Sequence, residues 1–591
     1  MTFRISVPLL TFALVASGCS LFESHEPRDA FSAFADALHK KDSTAAANDT
    51  DNADQATPVL KAMFEGMGTD ATVDIKSTVG DGDNKASATL TYTWSFGPGH
   101  QFSYDTTATA TKVGDDWRVH WAPTVLHTKL RPGVSFQFSQ DKALLTPVVD
   151  RDGQPLLNWQ TVGVISLSRD HLESAAALAG VLERFDNTIT AESITNQFNG
   201  NQDDRETVIK LREQDLDQVN DDLTAIVGVN VAKQGQLLTV DPNLHSPAIA
   251  ELPDVWRQAI DATAGWSVAL VDKQDRPTDQ LASAPPSDTK PVRTTLDTRL
   301  QMLAQQAVAT DPRPTVLVAI APSTGAILAA AQNDAATAQG PIAFTGLYPP
   351  GSTFKTITTA AALQNGIAGA DTPEPCPGSV TIENRTIPNE DNFDLGTIPL
   401  AQAFAHSCNT TMAALADRLP ADALPKMARN FGIGVDYVIP GITTVTGKVP
   451  DATTAAQRVE NGIGQGTVTV SPFGLAVAEA SLAHGSTITP TLLPDQKTTA
   501  NAPSAPIARP LADALRAMMR LTVTDGTAAS LKDIADLGGK TGTAEFGDNT
   551  HSHGWFAGIV GDIAFATLVV GGDSSTPAVA VTGNFLHTAL S

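Results

Sequence analysis

The sequence predicts a multidomain chain of the α+β and α/β classes. Three observations carry that reading. A helical apolar stripe is followed by alternating strands near the N-terminus, a charge-dense stretch fills the second quarter, and helices interleave with buried strands after Arg293. At 591 residues there is room for three or four domains and ample core.

Residues 1–18 form a processing segment. Arg4 supplies a minimal basic end, Ile5 to Ala16 are apolar, and Ala16-Ser-Gly-Cys19 closes the run. The first domain is expected over 19–135. Phe31, Phe34, Ala35 and Leu38 mark one helix face, and Asp49 to Asp54 reads as a surface loop. Ala86, Ala88, Leu90, Tyr92 and Trp94 then alternate, as do Phe102, Tyr104 and Thr106, and Trp117, Val119 and Trp121. A helix followed by a curved antiparallel sheet makes an α+β cone, with the aromatic stripe as its core.

A second domain is expected over 140–285, with exposed helices in the stretch Asn187 to Asp222, rich in charge, Asn and Gln. Ser283 to Pro291, with three prolines, reads as a linker. The third domain runs from 293 to 591. Thr294 to Ala307 is its opening helix, and Leu317 to Ala330 is a strand, a turn at Ser323-Thr-Gly325 and a second strand. No later run approaches the roughly twenty apolar residues of a membrane span. The net charge of −25 and the absence of a basic cluster exclude a nucleic-acid partner.

Three short motifs stand in order in the third domain: Ser352-Thr-Phe-Lys355, Ser407-Cys-Asn409 and Lys540-Thr-Gly-Thr543. Ser-x-x-Lys alone says little, since Ser139-Gln-Asp-Lys142 and Ser287-Asp-Thr-Lys290 match it too. Ser352 differs because Tyr348-Pro-Pro-Gly351 stops any earlier helix and starts a new one at the serine. Three residues of helix then bring Ser352 and Lys355 onto one face. Lys540-Thr-Gly-Thr543 lies in the first arm of a predicted hairpin whose second arm is Gly554 to Gly561, and Gly542 allows close backbone or ligand approach. Together the motifs supply a nucleophile, a base, a proton relay and an anion clamp.

In order and spacing the three motifs resemble those of the penicillin-binding proteins and serine β-lactamases. Gly462-Ile-Gly-Gln-Gly466 with Ser471-Pro472 resembles the loop before a long core helix in the same family. No glycan-polymerising module is found ahead of them, so the resemblance is to the monofunctional class B enzymes. Asp116 to Leu130 resembles the end of the N-terminal domain of low-affinity methicillin-resistance penicillin-binding proteins. Pro147 to Leu156 resembles the entry to the family's pedestal or dimerisation domain. The start of the chain resembles a lipoprotein signal with Cys19 as the acylated residue. Two or more acyl chains suffice to anchor a protein at the outer face of the cytoplasmic membrane.

The resemblance implies a serine β-lactamase/transpeptidase-like fold and a D,D-transpeptidase that cross-links peptidoglycan stem peptides ending in two D-alanines. Ser352 would be the nucleophile, Lys355 the base if burial and Lys540 keep it neutral, and Ser407 the relay to the leaving group. Asn409 would hold Lys355 and the substrate amide, while Lys540, Thr541 and Thr543 grip the terminal carboxylate. The oxyanion would sit between the N–H groups of Ser352 and Thr543, beside Gly351 and Gly542. β-Lactams would acylate the same serine, slowly if the N-terminal likeness extends to drug affinity. Cell-wall synthesis proteins are the expected partners, although the transmembrane helix through which the family meets its glycan polymerase is not seen. No cofactor or metal is expected, and His551 and His553 read as solvated rim residues. Trp555 and Phe556 read as packing residues.

Other outcomes share the acyl-enzyme. Water as acceptor would make a carboxypeptidase or a β-lactamase, but no Glu-x-x-x-Asn deacylation pattern occurs between Asn409 and Gly462. A non-catalytic β-lactam-binding scaffold is the remaining alternative. Outside the cytoplasm, Cys376 and Cys408 either form one disulfide or stay as buried thiols.

Overall fold

The computed structural model describes residues 26–97, 100–199, 202–547 and 550–591. The segment up to Cys19, with its expected cleavage and acylation, lies outside the described residues. The described chain forms two compact units, one of residues up to 143 with Asp261–Asp288, the other of Leu144–Ile260 with Thr289–Ser591.

The first unit grows from the helix Pro27–His39, whose Phe31, Phe34 and Leu38 are fully buried. They pack with the helix Ala53–Met67 against a four-stranded antiparallel meander of Ala71–Gly80, Lys85–Ser95, Gln101–Val113 and Asp116–Val119. Tyr92 lies opposite Tyr104 in register, and their rings stack with centroids 5.3 Å apart. The alternating aromatics are therefore core, with Tyr92 and Trp94 wholly buried.

One boundary differs from the sequence reading. Residues 140–285 do not stay together, because the strand Gly265–Val271 pairs along its length with Ser135–Asp141 and with Pro277–Ala284. This three-stranded sheet belongs to the first unit, and Phe96 stacks on Phe138 at 3.9 Å to extend its core. Pairing across some 130 residues leaves no local sign in the sequence. The decoy Ser139 sits in this sheet, not on a helix.

In the second unit the long strand Pro155–Ser168 pairs with Val229–Thr239 on one side and Arg205–Arg212 on the other. The stretch read as exposed helices thus contains a strand, Arg205–Arg212, between short helices. A short parallel pairing of Val148–Val149 with Val292–Arg293 leads into the C-terminal part. The decoy Ser287-Asp-Thr-Lys290 lies in an irregular segment.

That part is built on a five-stranded antiparallel sheet in the order Ile327–Gln332, Thr315–Ile320, Ile563–Val569, His551–Val560, Gly538–Phe546. Thr315–Ile320 is buried at every residue, as expected for a strand covered on both faces. The helices Thr298–Val308 and Thr576–Ala589 cover one side. The helix Pro472–His484, capped by Ser471, packs against three of the strands. Among the described residues no helix is long and apolar enough to cross a membrane.

Glu479 sits on that core helix, 1% exposed, with neither carboxyl oxygen hydrogen-bonded. Burial pushes its carboxyl up from 4.5 to about 8. A pKa that is higher in the folded chain adds stability below pH 4.5, and that contribution is lost as pH rises through about 8. Between about pH 5 and about pH 9, Glu479→Gln is expected to lose about 2–5 kcal/mol less stability than the native chain. Denaturant melts at the two pH values read this directly; equal losses in both proteins would contradict it.

Candidate active site

The three sequence motifs, spread from Ser352 to Thr543, line or underlie one cleft of about 720 Å³. Ser352 enters it from a 3-10 turn, Gly351–Phe354, that leads into the buried helix Lys355–Gln364. In a 3-10 turn side chains three apart eclipse, so Ser352 and Lys355 leave the turn on the same side.

Close backbone packing fixes this turn. Gly351 has φ +51°, and its amide donates to Gly464 O at 2.9 Å. A Cβ on Gly351 would stand 2.4 Å from Thr543 O, and one on Gly464 would stand 1.9 Å from Gly351 O. Thr358 Oγ1 also donates to Gly462 O at 2.6 Å. The Gly462–Gly466 loop therefore backs the serine turn, and the Lys540 strand, Gly538–Phe546, faces it. A Cβ on Gly542 would meet Pro350 O at 2.8 Å.

Lys355 is completely buried. Its Nζ donates to Ser407 O at 2.7 Å, Ser407 Oγ at 3.1 Å and Asn409 Oδ1 at 2.5 Å. Burial, and next the charge of Lys540, hold its amine well below the usual lysine range, against a smaller upward pull from Glu390. Lys540 is also fully buried, over the Phe404 ring at 5.8 Å, with Nζ donating to Thr541 O at 3.0 Å. Burial lowers it to about 7, again opposed by Glu390. Thr541 and Thr543 line the cleft, and Thr541 Oγ1 lies 2.5 Å from Thr527 Oγ1.

Ser407 occupies a left-handed conformation, φ +59°, between the helices Leu400–Ala405 and Asn409–Arg418. Such a backbone is costly for a serine and persists only when its surroundings hold it. Two devices hold it. Cys408 forms a disulfide with Cys376, Cα atoms 6.1 Å apart, so the bridge and not the pair of thiols is present. Asn389 is the second, and sequence reasoning missed it. It is 2% exposed; its Oδ1 accepts from the amides of Asn409 at 2.8 Å and Thr410 at 3.1 Å. Its Nδ2 donates to Pro377 O and Phe393 O, both at 2.9 Å. An asparagine capping a helix twenty residues further on has no local signature.

The two histidines part company. His551 is exposed, 3.5 Å from Asp573. His553 is buried, not solvated: it stacks on Phe546 at 4.2 Å and meets Tyr348 edge-on at 5.1 Å. Burial lowers its imidazole to about 4, so it is neutral near pH 7. His551 and His553 share one face of the second hairpin strand; His551 stands at its open end, and His553 is covered by Phe546 and Tyr348. Trp555 and Phe556 are fully buried, and Trp555 Nε1 donates to Pro349 O at 2.9 Å.

Residues 315–587 match the family model described as penicillin binding protein transpeptidase domain, and residues 26–134 match the NTF2-like N-terminal transpeptidase domain. The chain carries a transpeptidase domain behind an NTF2-like one. Among curated proteins it is similar to the peptidoglycan D,D-transpeptidase PbpA of Mycobacterium tuberculosis. That pair is 31% identical over 334 residues, 46% of this chain and 64% of that one. The peptidoglycan D,D-transpeptidase MrdA of Acinetobacter baumannii is 26% identical over 335 residues, 49% of this chain and 50% of that one. The chain thus spans a little under two thirds of the length of PbpA. Among solved structures, a Helicobacter pylori penicillin-binding protein in complex with MreC shares the fold. Its TM-score is 0.57 at 18% identity, covering 77% of this chain and 99% of that one. The transpeptidase domain holds all eight motif residues singled out from sequence, from Ser352 to Thr543.

Asn389→Ala would strand two amides and two carbonyls beneath the Ser407 turn. It is expected to cost about 2–4 kcal/mol and to slow acylation of Ser352 about 10- to 100-fold. Acylation at the native rate, with only a lowered melting temperature, would show that Asn389 does not position the site.

Proposed function

We propose that the chain is a serine D,D-transpeptidase that joins peptidoglycan stem peptides through a Ser352 acyl-enzyme. The observation that carries this reading is the completely buried Lys355, its Nζ bonded to Ser407 Oγ and Asn409 Oδ1 beside Ser352. Burial and the nearby Lys540 charge favour the neutral amine of a lysine so placed, which accepts the Ser352 proton as Oγ attacks the carbonyl between two terminal D-alanines. The proton then passes through Ser407 Oγ to the leaving amine. Lys540, with Thr541 and Thr543, faces the terminal carboxylate, and the N–H groups of Ser352 and Thr543 receive the oxyanion. An amine from a second stem peptide releases the product. The named relatives, both peptidoglycan D,D-transpeptidases, support the substrate class.

β-Lactams acylate the same serine in this reading. The NTF2-like domain, also the N-terminal domain of low-affinity resistance enzymes by resemblance, supports slow acylation by these drugs and a part in antibiotic resistance. The lipoprotein-like start supports cleavage before Cys19, acylation there, and a site at the outer face of the cytoplasmic membrane among cell-wall synthesis proteins.

Intact-mass analysis of the soluble chain from Ser20 with a penicillin tests the assignment. A single stable adduct is expected on the native chain, none on Ser352→Ala, and almost none on a folded Lys355→Ala. Near-native acylation of Lys355→Ala would remove Lys355 as the base. Rapid drug hydrolysis without an adduct would indicate a lactamase instead.

A further inference from the structure

Proton transfer from Ser352 to Lys355 leaves two cations, Lys355 and Lys540, in a pocket where both side chains are wholly buried. Among the described residues neither lysine is ion-paired at contact distance. The amine partners are neutral: Ser407, Asn409 and the Thr541 carbonyl. A buried pair of like charges is costly unless an opposite charge faces it.

One carboxylate is built into the wall at the right place. Glu390 lines the cleft with Ser352, Ser407 and Asn409. It follows Asn389, whose side chain is bonded to the amide of Asn409, and Pro388, whose carbonyl accepts from Asn409 Nδ2 at 2.9 Å. After it, Asp391 and Asn392 both take left-handed backbone, φ +49° and +54°, so the chain doubles back and leaves Glu390 on the cleft side. The turn is pinned by Asn392 N to Asn389 O at 3.0 Å and Phe393 N to Glu390 O at 3.1 Å.

The cleft's other charges are otherwise engaged. Arg385 pairs with Glu460 at 2.5 Å, and Asp573 faces His551. Glu545 lies two residues beyond Thr543, on the strand that faces the serine turn. Asp394 accepts from Gly396 N, while Asp391 and His406 flank the turn and the Ser407 loop.

We propose that Glu390 is a positioning residue of acyl transfer, acting through the lysine pair: its carboxylate is the charge against which Lys355 and Lys540 both hold a proton. This rests on the acyl-transfer reading above. As the Ser352 Oγ–carbonyl bond forms, the Oγ proton moves to Lys355 Nζ, and Glu390 offsets the second positive charge. As the C–N bond breaks, that proton leaves through Ser407 Oγ with the amine, and the pair returns to one charge. The upward pull of Glu390 on both amines agrees with this role.

The test is the pH profile of the penicillin acylation rate at Ser352 for the native chain, Glu390→Gln and Glu390→Asp. Glu390 is exposed, and glutamine keeps its shape, so the fold is retained. Removing the negative charge lowers both lysines, so the acid and alkaline limbs of the Gln variant should both move down by about one pH unit. Its rate near neutral pH should fall about tenfold, and Glu390→Asp should restore the limbs at least in part. A rate lowered equally at every pH with unmoved limbs, or an unchanged profile, overturns the proposal. Loss of amine-acceptor transfer alone would place Glu390 on the acceptor instead and overturn it as well. If the native chain forms no Ser352 adduct, the functional reading fails and this inference with it.

Discussion

The burial of two lysines beneath one serine is the constraint on which the C-terminal domain turns. Lys355 and Lys540 are both fully enclosed, and enclosure is the larger cause of their lowered pKa values. Water would restore an ordinary ammonium and end any role for Lys355 as a base. The sheet, the core helix Pro472–His484 and the loops around Asn389 can all be read as the walls that exclude it.

Those walls come from distant parts of the chain, and backbone proximity joins them. Gly351, Gly464 and Gly542 sit where a single Cβ would collide with a neighbouring carbonyl. The serine turn, the Gly462–Gly466 loop and the Lys540 strand therefore approach as bare backbones, which brings the Ser352 turn against Thr543. On the opposite side the Cys376–Cys408 bridge and the Asn389 side chain hold the left-handed Ser407. Strain at Ser407 is thus offset by a covalent link and four hydrogen bonds.

Much of this site was legible because its chemistry is written in local motifs. Ser352 to Lys355, Ser407 to Asn409 and Lys540 to Thr543 each declare their side chains within four residues, and the structure brings all three to one cleft. The flanking Pro-Pro-Gly351 announced the turn, and alternation announced the aromatic core of the first unit. What stayed hidden depends on long-range pairing. The strand Gly265–Val271 finds its partner at Ser135–Asp141, Asn389 caps a helix far along the chain, and His553 is buried by what covers its face. Glu479 stands on a helix buried on nearly every side, and no local pattern declares that burial. Cys408, left open between thiol and bridge, needed the distance to Cys376.

Whether Lys355 is neutral at the pH where the chain works can be observed without any substrate. The protein would be labelled with 13C at lysine Cε, the Lys355 resonance assigned by its loss in Lys355→Arg, and its shift followed across the pH range. The structure predicts a transition far below the ordinary lysine value of 10.5, with Lys540 titrating at about 7. A Lys355 resonance that stays protonated until close to 10.5 would contradict the buried-base account of the site.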